Sequence, residues 1–544
     1  MKSTMMPLPL STQIIQRHGA SLHGDAEVVW FDAGRTTRRP FRDLAVDIAR
    51  LAALLRAEGI RAGDRVATFC WNRPEHLMAY FAVPGIGAVL HTLNIRLFAD
   101  HLAYIMNHAG DRALIVEADL LPLLDAVLPA VPSLELIIVI DPGDTPLPAT
   151  PRVIGPRAIA FDQGLAAHAP LEDWPALDEA AAAAVCYTSG TTGHPKGVVY
   201  SHKSIFVHTL ASMGADTFAI SRGDRILLLP PMFHANAWGL PFSAWFAGAS
   251  LILPGPHLQP EPLRGLIEAE RPTFTAMVPT LVNDMLASHR ERPLDMSSFR
   301  VIVSGGSAVS PALIDRVRQA WGVPVLQGWG MTETSPLCTL SHPPMDIAPE
   351  RQIVWRAKSG RPVAGVEVRV VDDADGPLPH DGQTVGRLQV RGPWITRGYH
   401  GRDQADAVTA DGWLKTGDVG HIDGHGYVQI TDRTKDAIKS GGEWISSVGL
   451  ENAIAAHEDV QEVAVIGVPD PRWEERPLAI VECAAGRTVD PAQLQQFLRR
   501  RVAGFWVPEY WAFVDALPKT SVGKIDKQSL RRRLAEGGLI YARC

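Results

Sequence analysis

The stretch from Tyr187 to Val198 constrains the fold of this chain more than any other, and it reads YTSGTTGHPKGV. Glycine and proline at this density break a helix, and glycine lets backbone N–H groups turn toward an anion. The hydroxyls of the stretch donate further hydrogen bonds, and Lys196 supplies positive charge. The pattern therefore predicts a loop that wraps a polyphosphate. It is not a Walker A loop, because that motif needs Ser or Thr directly after its lysine, and here Gly197 follows Lys196.

The length and charge of the chain exclude several classes of protein. At 544 residues it is long enough for two or more domains, and its net charge of −7 gives no electrostatic case for nucleic acid. The five cysteines lack C-x-x-C spacing, which argues against a disulfide framework or structural zinc and fits a reducing cytoplasm. No uncharged apolar stretch reaches the roughly 18 residues that a membrane span needs. We therefore expect a cytoplasmic protein with no transmembrane segment and no nucleic-acid partner.

Helix-like and strand-like patterns alternate through much of the chain. Apolar residues recur at helical spacing from Phe41 to Leu55, and buried-strand patterns occupy Arg65–Cys70 and Leu134–Ile140. This alternation predicts an α/β fold in which helices cover parallel sheets. The same patterns predict a helix over Leu120–Val127. Pro142–Glu179 is rich in proline, alanine and acidic residues without clear periodicity, which predicts a long surface connection.

The pattern changes after Lys358, where short alternating runs separated by Gly and Asp predict a small antiparallel, β-barrel-like part. The clearest domain boundary lies near Asp432, just before a lysine-containing hinge. Beyond the hinge, helix and strand patterns alternate over about a hundred residues, which is a usual size for a domain. We therefore expect a large N-terminal domain over residues 1–432 and a small α+β domain over residues 433–544.

Three other motifs accompany the first one: Gly328–Pro336 reads GWGMTETSP, Lys415–Asp418 reads KTGD and Pro518–Ile525 reads PKTSVGKI. Together the four motifs are similar to the signatures of the adenylate-forming enzymes, a superfamily of acyl-CoA synthetases, luciferases and peptide-synthetase adenylation domains. The resemblance covers nearly the whole chain. It implies an ATP- and Mg²⁺-dependent enzyme that uses CoA and whose small C-terminal domain is mobile.

The resemblance also implies a nucleotide site. Where the family motif usually has tyrosine this chain has Trp329, and a flat aromatic ring of either kind can stack on adenine. Asp418 would accept hydrogen bonds from the ribose hydroxyls, as carboxylates do in other nucleotide sites. The residues expected to contact ATP or AMP are Thr188, Ser189, Gly190, Thr191, Thr192, Gly193, Lys196, Gly306, Gln327, Gly328, Trp329, Thr332, Asp418, Arg433, Lys435, Lys439 and Trp444.

The resemblance assigns catalytic roles to three residues. Glu333 matches the glutamate that holds Mg²⁺, and Thr188 is expected to be the second protein ligand. A Mg²⁺ ion bound to phosphates usually takes only one or two oxygen ligands from the protein. Lys524 matches the catalytic lysine, a mobile cation that brings two anions together and stabilises charge on the leaving pyrophosphate. His234 matches a histidine beside the acid.

Two other sites follow from the resemblance. In acyl-CoA synthetases the segment around His234 lines the acid pocket, so Ala235, Trp238, Gly306 and Gly330 are expected there. Trp238 matches an aromatic gate of long-chain fatty-acyl-CoA synthetases, although core packing is an equally good interpretation of this residue. The glycine segment after the hinge borders the pantetheine tunnel, which predicts CoA contacts at Lys439, Ser440, Gly441 and Gly442.

The favoured function is an acid–CoA ligase that converts a carboxylic acid to acyl-AMP and then to acyl-CoA. The closest resemblance is to medium- and long-chain fatty-acyl-CoA synthetases and to methylthiopropionate–CoA ligases, so a medium- or long-chain fatty acid is expected. A short, thioether or aryl acid is an alternative, and so is an enzyme that loads a carrier protein in trans, since no carrier domain follows Lys524 here. A luciferase-type oxygenase stays open. A non-catalytic nucleotide-binding protein is disfavoured, because Lys524, Glu333 and Asp418 are all present. Homodimers are frequent in this branch, and one is possible here.

Overall fold

The computed structural model describes residues 1, 3–32, 35–141, 143, 157–188, 194–440, 443–484, 486–519 and 525–544. Its α-helices, in chain order, are α1 (Thr12–Leu22), α2 (Phe41–Ala57), α3 (Pro74–Gly85), α4 (Ala99–Ala109), α5 (Phe161–Ala166), α6 (His202–Met213), α7 (Leu240–Ala247), α8 (Pro260–Glu270), α9 (Pro279–Glu291), α10 (Pro311–Trp321), α11 (Gln352–Arg356), α12 (Ser447–Ile454), α13 (Pro491–Leu498) and α14 (Lys527–Ala535). None of the helices in these ranges is long and apolar enough to cross a bilayer.

The strands, in chain order, are β1 (Glu27–Asp32), β2 (Arg35–Pro40), β3 (Arg65–Phe69), β4 (Val89–Thr92), β5 (Asp111–Glu117), β6 (Leu136–Ile140), β7 (Arg157–Ala160), β8 (Ala182–Tyr187), β9 (Gly197–Ser201), β10 (Arg225–Leu227), β11 (Ser250–Leu253), β12 (Phe274–Met277), β13 (Val301–Ser304), β14 (Val325–Gly330), β15 (Leu337–Leu340), β16 (Arg361–Pro362), β17 (Glu367–Val371), β18 (Gly386–Arg391), β19 (Leu414–Ile422), β20 (Val428–Arg433), β21 (Ile438–Ser440), β22 (Glu443–Ile445), β23 (Val460–Asp470), β24 (Glu474–Cys483), β25 (Tyr510–Val514) and β26 (Ala542–Arg543).

Two largely parallel sheets form the first part of the molecule. One has the order β7-β6-β5-β3-β4-β8-β9, and the other has the order β16-β15-β14-β13-β12-β10-β11-β1-β2. In the first sheet only β8 and β9 pair antiparallel, and in the second β1–β2, β14–β15 and β15–β16 do. The expectation of helix-covered parallel sheets is confirmed. The apolar face of α2 is buried as its spacing predicts, with Leu44, Ile48, Leu51 and Leu55 all in the core.

The later strands form two smaller sheets. Strands β17-β18-β19-β20 make an antiparallel sheet, as the alternating runs after Lys358 predict. Strands β22-β21-β24-β25-β26, with β23 beside β24, carry α12 to α14 in an α+β unit. Strand β20 ends at Arg433 and β21 of the next sheet begins at Ile438, so the change of sheet follows directly after the expected boundary, which itself lies one residue before the end of β20. The division into two domains stays a prediction.

Two local expectations differ from the structure. The helix expected over Leu120–Val127 is a 3-10 helix that occupies Ala118–Leu124, and Pro122 inside it cannot donate a backbone hydrogen bond. The connection over Pro142–Glu179 is not structureless, because β7 and α5 lie within it. Strand β7 is four residues long and pairs only with β6, so it is too short to give a recognisable sequence period.

Candidate active site

A cavity of about 610 Å³ lies where β8 of one parallel sheet and β13 and β14 of the other end. This is the edge at which open α/β sheets bind ligands, since the loops that follow the carboxyl ends of neighbouring strands converge there. Most of the predicted site residues that the structure describes line this cavity. They are Thr188, Lys196, His234, Ala235, Trp238, Gly306, Gly328, Trp329, Gly330, Thr332, Glu333, Arg433 and Lys435.

Other predicted residues lie outside the described part of the chain. They are Ser189, Gly190, Thr191, Thr192, Gly193, Gly441, Gly442 and Lys524, together with the side chains of Lys439 and Trp444. Ile525, the residue directly after Lys524, lines the cavity. The C-terminal motif therefore reaches this site.

Three described residues of the predicted set do not line the cavity. The Gln327 side-chain oxygen accepts a hydrogen bond from the Val309 backbone N–H at 2.6 Å, so it holds the turn after β13. Asp418 is buried, and with Gln327 it lines a neighbouring cavity of about 500 Å³ that shares Trp329 and Arg433 with the first. Ser440 is buried in the C-terminal sheet, where its hydroxyl accepts a hydrogen bond from Arg476 at 3.0 Å.

The Asp418 carboxylate is shared by two donors from different strands. The Trp329 indole N–H donates to Oδ2 at 3.1 Å, and the Arg433 Nε lies 2.8 Å from Oδ1. Trp329 is the second-last residue of β14 and Arg433 is the last residue of β20, so the carboxylate ties the second parallel sheet to the antiparallel sheet. A charge-assisted pair of this kind fixes the carboxylate next to the aromatic ring that lines the cavity.

Glu333 is buried, and its carboxylate accepts a hydrogen bond from the Tyr399 hydroxyl at 2.8 Å. Burial, and then the neighbouring Glu333 charge, raises the pKa of Tyr399, which keeps the phenol protonated as a donor. The Lys196 ammonium lies over the Tyr399 ring, 4.8 Å from its centroid. The tyrosine therefore connects the phosphate-loop lysine to the predicted metal-binding carboxylate.

The donor set around Glu333 fits Mg²⁺. Glu333 and Thr188 both present oxygen atoms to the cavity, and the Thr188 hydroxyl oxygen accepts a hydrogen bond from the Lys196 backbone N–H at 3.2 Å. In the part of the chain that the structure describes, no three His, Cys, Asp or Glu side chains lie together as a metal site. Mg²⁺ bound to phosphates needs only one or two protein oxygens, because the phosphates and waters supply the rest.

A left-handed turn brings His234 and Trp238 to the cavity. The φ angles of Ala235, Asn236, Ala237 and Trp238 are 43°, 51°, 48° and 62°, and Gly239 follows at 75°. Consecutive left-handed residues other than glycine are unusual, at a cost of roughly 1–2 kcal/mol each. The burial of Asn236 holds the turn in place, and its side-chain oxygen accepts a hydrogen bond from the Cys186 thiol at 3.2 Å.

Glycines leave room for the backbone and for Trp238. A Cβ at Gly305 would lie 3.0 Å from the Trp238 ring, and one at Gly330 would lie 1.7 Å from the Pro336 carbonyl oxygen. The cavity lining also includes Trp238 and the apolar residues Phe218, Val303, Pro336 and Leu337. The cavity thus combines polar residues of the phosphate loop with these apolar residues, which form its apolar wall.

Sequence reasoning missed several residues of the site. Tyr399 and Phe218 belong to no motif singled out in the sequence. Lys415 lines the cavity and stands in the KTGD motif, which offered a signal for it. Tyr187, at the base of the phosphate loop, hydrogen-bonds through its hydroxyl to the Nδ1 of His108 at 2.7 Å.

Known proteins and family models match this chain over most of its length. Residues 16–400 match the family model of the AMP-binding enzymes, and residues 449–524 match that of the AMP-binding enzyme C-terminal domain. A 3-methylmercaptopropionyl-CoA ligase of Ruegeria pomeroyi is 41% identical over 541 residues, which cover 98% of this chain and 99% of that protein. A long-chain-fatty-acid–CoA ligase of Thermus thermophilus is 42% identical over 542 residues, which cover 98% and 97%.

The solved structures give the same fold. The crystal structure of the anthranilate CoA ligase AuaEII in complex with anthranoyl-AMP superposes with a TM-score of 0.87 at 27% identity, covering 99% of this chain and 100% of that one. ATP-bound MatB from Rhodopseudomonas palustris superposes with a TM-score of 0.83 at 26% identity, covering 97% and 100%.

Proposed function

The chain belongs to the AMP-binding enzyme family and is an AMP-forming acyl-CoA ligase, and on this premise we propose that its acid is a medium- or long-chain fatty acid. The acid and ATP give acyl-AMP and pyrophosphate, and CoA then takes the acyl group and releases AMP. One observation carries the proposal. In a single cavity the phosphate-loop residue Thr188, the adenine-segment residue Trp329 and an apolar wall meet.

The apolar wall supports a hydrocarbon tail. The side chains of Phe218, Val303 and Leu337 offer a hydrocarbon tail no polar partner, so burial of methylene groups is the main source of binding free energy there, at about 0.8 kcal/mol each. A short thioether acid is the second candidate. The Ruegeria relative, named for 3-methylmercaptopropionate, is nearly as similar to this chain as the Thermus relative named for long-chain fatty acids.

In the adenylation step the carboxylate oxygen attacks the α-phosphorus and pyrophosphate leaves. Trp329 stacks on adenine, Asp418 accepts from the ribose hydroxyls, and Lys196 with the phosphate loop binds the β- and γ-phosphates. Glu333 and Thr188 would hold Mg²⁺, which supplies charge that offsets the phosphates. Lys524 then brings a cation to the acid and the α-phosphate, a role supported by its neighbour Ile525 on the cavity wall.

The thioester step needs a different arrangement of the C-terminal domain. Ser440, which begins the glycine segment, lies buried in the C-terminal sheet and away from the cavity. We propose that residues 433–544 turn about the hinge at Lys435, so that Lys524 serves adenylation and the segment 440–442 then borders the path of the thiol. Rotation about a few linker residues is a recognised mode of domain switching.

The first experiment identifies the products. Purified protein is incubated with ATP, Mg²⁺, CoA and a panel of acids from 3-methylmercaptopropionate to saturated acids of increasing length. We expect AMP, pyrophosphate and a thioester of the predicted mass, with medium or long chains giving the highest kcat/KM, and no product after chelation of Mg²⁺. Release of ADP and phosphate would exclude an AMP-forming reaction. A higher kcat/KM for 3-methylmercaptopropionate than for the fatty acids would make that acid the substrate instead.

A second experiment tests the acid site at Trp238. If Trp238 gates the acyl chain, Trp238→Ala should change the preferred chain length while the protein keeps its melting temperature. Trp245→Ala is the matched control, because Trp245 is fully buried and stacks on Phe41 at 4.2 Å, so its loss should cost roughly 3–5 kcal/mol in unfolding free energy. A similar loss of stability in Trp238→Ala, with an unchanged chain-length profile, would assign Trp238 to the core.

We also propose a cellular location and an oligomeric state. ATP and CoA are cytoplasmic co-substrates, and all five cysteines are free thiols, which supports a cytoplasmic enzyme. A homodimer follows only from the resemblance to the fatty-acyl branch. Sedimentation velocity at several concentrations tests it, and a single species of 59.1 kDa would exclude it.

A further inference from the structure

The segment 394–400, called the bridging segment below, is hydrogen-bonded to the part of the chain that carries Glu333. At its start the Trp394 indole N–H donates to the Leu337 carbonyl at 2.9 Å. Two residues later the Thr396 backbone N–H donates to the Glu333 carbonyl, also at 2.9 Å. These bonds fix the position of the Glu333 backbone, but the orientation of its carboxylate depends on contacts of the side chain itself.

The other end of the bridging segment reaches the phosphate loop. The His400 backbone N–H donates to the Gly197 carbonyl at 2.8 Å, and Gly197 is the first residue of β9. The Lys196 ammonium, one residue earlier, lies 4.8 Å from the centroid of the Tyr399 ring. The bridging segment therefore connects the two parts of the chain that the proposed function assigns to Mg²⁺ and to the phosphates, and Tyr399 lines the cavity that both parts reach.

The Tyr399 hydroxyl contacts the Glu333 carboxylate directly. It donates to Oε1 at 2.8 Å, since an ionised carboxylate can only accept. Glu333 is only 7% exposed, so a donor from the protein replaces water at its carboxylate. A hydrogen bond of this kind orients a carboxylate that binds a metal, and loss of such a partner typically weakens metal binding about 10- to 100-fold.

We infer that Tyr399 is a positioning residue with two contacts: its hydroxyl orients the Glu333 carboxylate as a metal ligand, and its ring keeps the Lys196 ammonium in place for the phosphates. The inference rests on the proposed function, in which Glu333 helps to hold Mg²⁺ and Lys196 binds the β- and γ-phosphates. One side chain thus sets the relative position of two groups that offset the negative charge of the polyphosphate.

Two substitutions separate the hydroxyl of Tyr399 from its ring. Tyr399→Phe removes the donor to Glu333 but keeps an aromatic face under the Lys196 ammonium, because a phenylalanine ring also attracts a cation. Tyr399→Leu removes both the donor and the aromatic face. The first variant therefore reports the contact with the carboxylate alone, and the difference between the two variants reports the contact with the lysine.

The test measures binding of α,β-methylene-ATP, which cannot release pyrophosphate, by isothermal titration calorimetry. Each protein is titrated once with excess Mg²⁺ and once in EDTA, and the ratio of the two Kd values gives the gain in affinity from the metal. In Tyr399→Phe this gain should be about tenfold smaller than in the parent, with Kd in EDTA within about twofold. In Tyr399→Leu the Kd in EDTA should also rise, by about two- to fivefold.

Tyr427→Phe is the matched control. The Tyr427 hydroxyl also donates to an oxygen, the His342 carbonyl, and the Lys358 ammonium lies 5.4 Å from its ring centroid, but Tyr427 does not line the cavity. This variant should keep the parent's gain from Mg²⁺. The double variant Glu333→Gln, Tyr399→Phe should have the same gain as Glu333→Gln alone, because the hydroxyl acts through the carboxylate.

An unchanged gain from Mg²⁺ in Tyr399→Phe would overturn the role toward Glu333, and an unchanged Kd in EDTA in Tyr399→Leu would overturn the role toward Lys196. Equal weakening of Tyr399→Phe with Mg²⁺ and in EDTA, or the same loss of gain in Tyr427→Phe, would mean that the phenol only supports the fold. Failure of the proposed function is distinct, because Glu333→Gln alone would then leave the gain from Mg²⁺ intact.

Discussion

Trp329, which we propose stacks on adenine, also donates a hydrogen bond to Asp418, the carboxylate proposed to bind the ribose. Its indole N–H donates to Asp418 at 3.1 Å, and a phenylalanine would keep the ring but lose this donor. Hydrogen bonds to charged groups contribute about 1.5–3 kcal/mol, so Trp329→Phe should raise KM for ATP roughly tenfold or more while KM for the acid stays unchanged.

The 2′-deoxy analogue of ATP makes this test specific. If Trp329 acts by orienting Asp418 toward the ribose, removing the 2′-hydroxyl should raise KM for the nucleotide less in Trp329→Phe than in the parent. An equal penalty in both enzymes would mean that the tryptophan contributes only by stacking. Steady-state kinetics with both nucleotides measure the difference.

At the residue scale, the motifs that carry the family resemblance predicted thirteen of the residues that line the cavity, because many motif residues lie at strand ends. Thr188 follows β8 and Trp329 lies at the end of β14, where sheet edges meet. Tyr399 could not be found this way. It lies 66 residues from Glu333 in sequence, and only the folded chain brings its hydroxyl to that carboxylate. Whether the predicted residues bind nucleotide stays a prediction.

The left-handed turn at Ala235–Gly239 is the element with the least favourable backbone. Ala237 has a φ of 48° and is fully buried. Ala237→Gly loses a buried methyl group, at about 0.8 kcal/mol, but removes roughly 1–2 kcal/mol of left-handed strain. We therefore expect its unfolding free energy to stay within about 0.5 kcal/mol of the parent, since glycine also has more backbone entropy to lose.

Ala244→Gly is the matched control for this prediction. Ala244 is equally buried but lies inside the right-handed helix α7, where glycine costs about 1 kcal/mol in addition to the lost methyl group. Denaturant unfolding should thus separate the two variants by about 1–2 kcal/mol. Equal destabilisation would mean that the turn carries no strain.

At the element scale, long periodic segments were predictable and local irregularities were not. The apolar period from Phe41 to Leu55 gave α2, which extends to Ala57. The left-handed turn had no sequence signal, because four of its five residues are not glycine and their conformation is imposed by surrounding packing. Strand β7 was missed because its four residues are exposed or half-buried apart from Ala160.

Buried neutral histidines make the whole molecule sensitive to acid. Burial lowers the pKa of His208 to about 4, and its Nε2 accepts the Leu337 backbone N–H at 3.4 Å. The unfolded chain binds this proton near pH 6.5 and the folded chain does not until about pH 4. The contribution of neutral His208 to the free energy of unfolding is therefore fully present above pH 6.5. It falls as the pH drops, by roughly 2 kcal/mol at pH 5.

His208→Gln should flatten this dependence, because glutamine can accept the same hydrogen bond without titrating. Unfolding free energy measured between pH 7.5 and pH 5 should fall less steeply in the variant than in the parent. His425→Gln, which changes an exposed side chain, should keep the steeper slope of the parent. The same steep slope in His208→Gln would exclude the residue as a source of acid sensitivity; His76 and His202, whose pKa values burial also lowers to about 4, would then carry it.

The arrangement of the two parts of the molecule leads to the last prediction. Ile525, the residue directly after Lys524, lines the cavity, while Ser440 does not. Arg531 of α14 lies 2.7 Å from the carboxylate of Asp436, so an ion pair joins the hinge to the helix that follows Lys524. Removing a preorganised charge that acts in one step costs about 10²–10³ in rate. Lys524→Ala should therefore lose acyl-AMP formation yet still convert supplied acyl-AMP and CoA to thioester.

Lys435→Pro should have the opposite effect. The backbone N–H groups of Asp436 and Ala437 donate to the Arg433 carbonyl, and proline at 435 stiffens this turn and restricts Thr434 before it. The small domain then stays in the arrangement that serves adenylation, so acyl-AMP formation is retained and thioester formation is lost.

Lys435→Ala removes the same side chain without stiffening the backbone, so it should retain thioester formation. Rapid-quench assays of each half-reaction compare the three variants. Equal loss of both steps in Lys524→Ala would refute the two-arrangement mechanism, because one fixed arrangement would then serve both reactions.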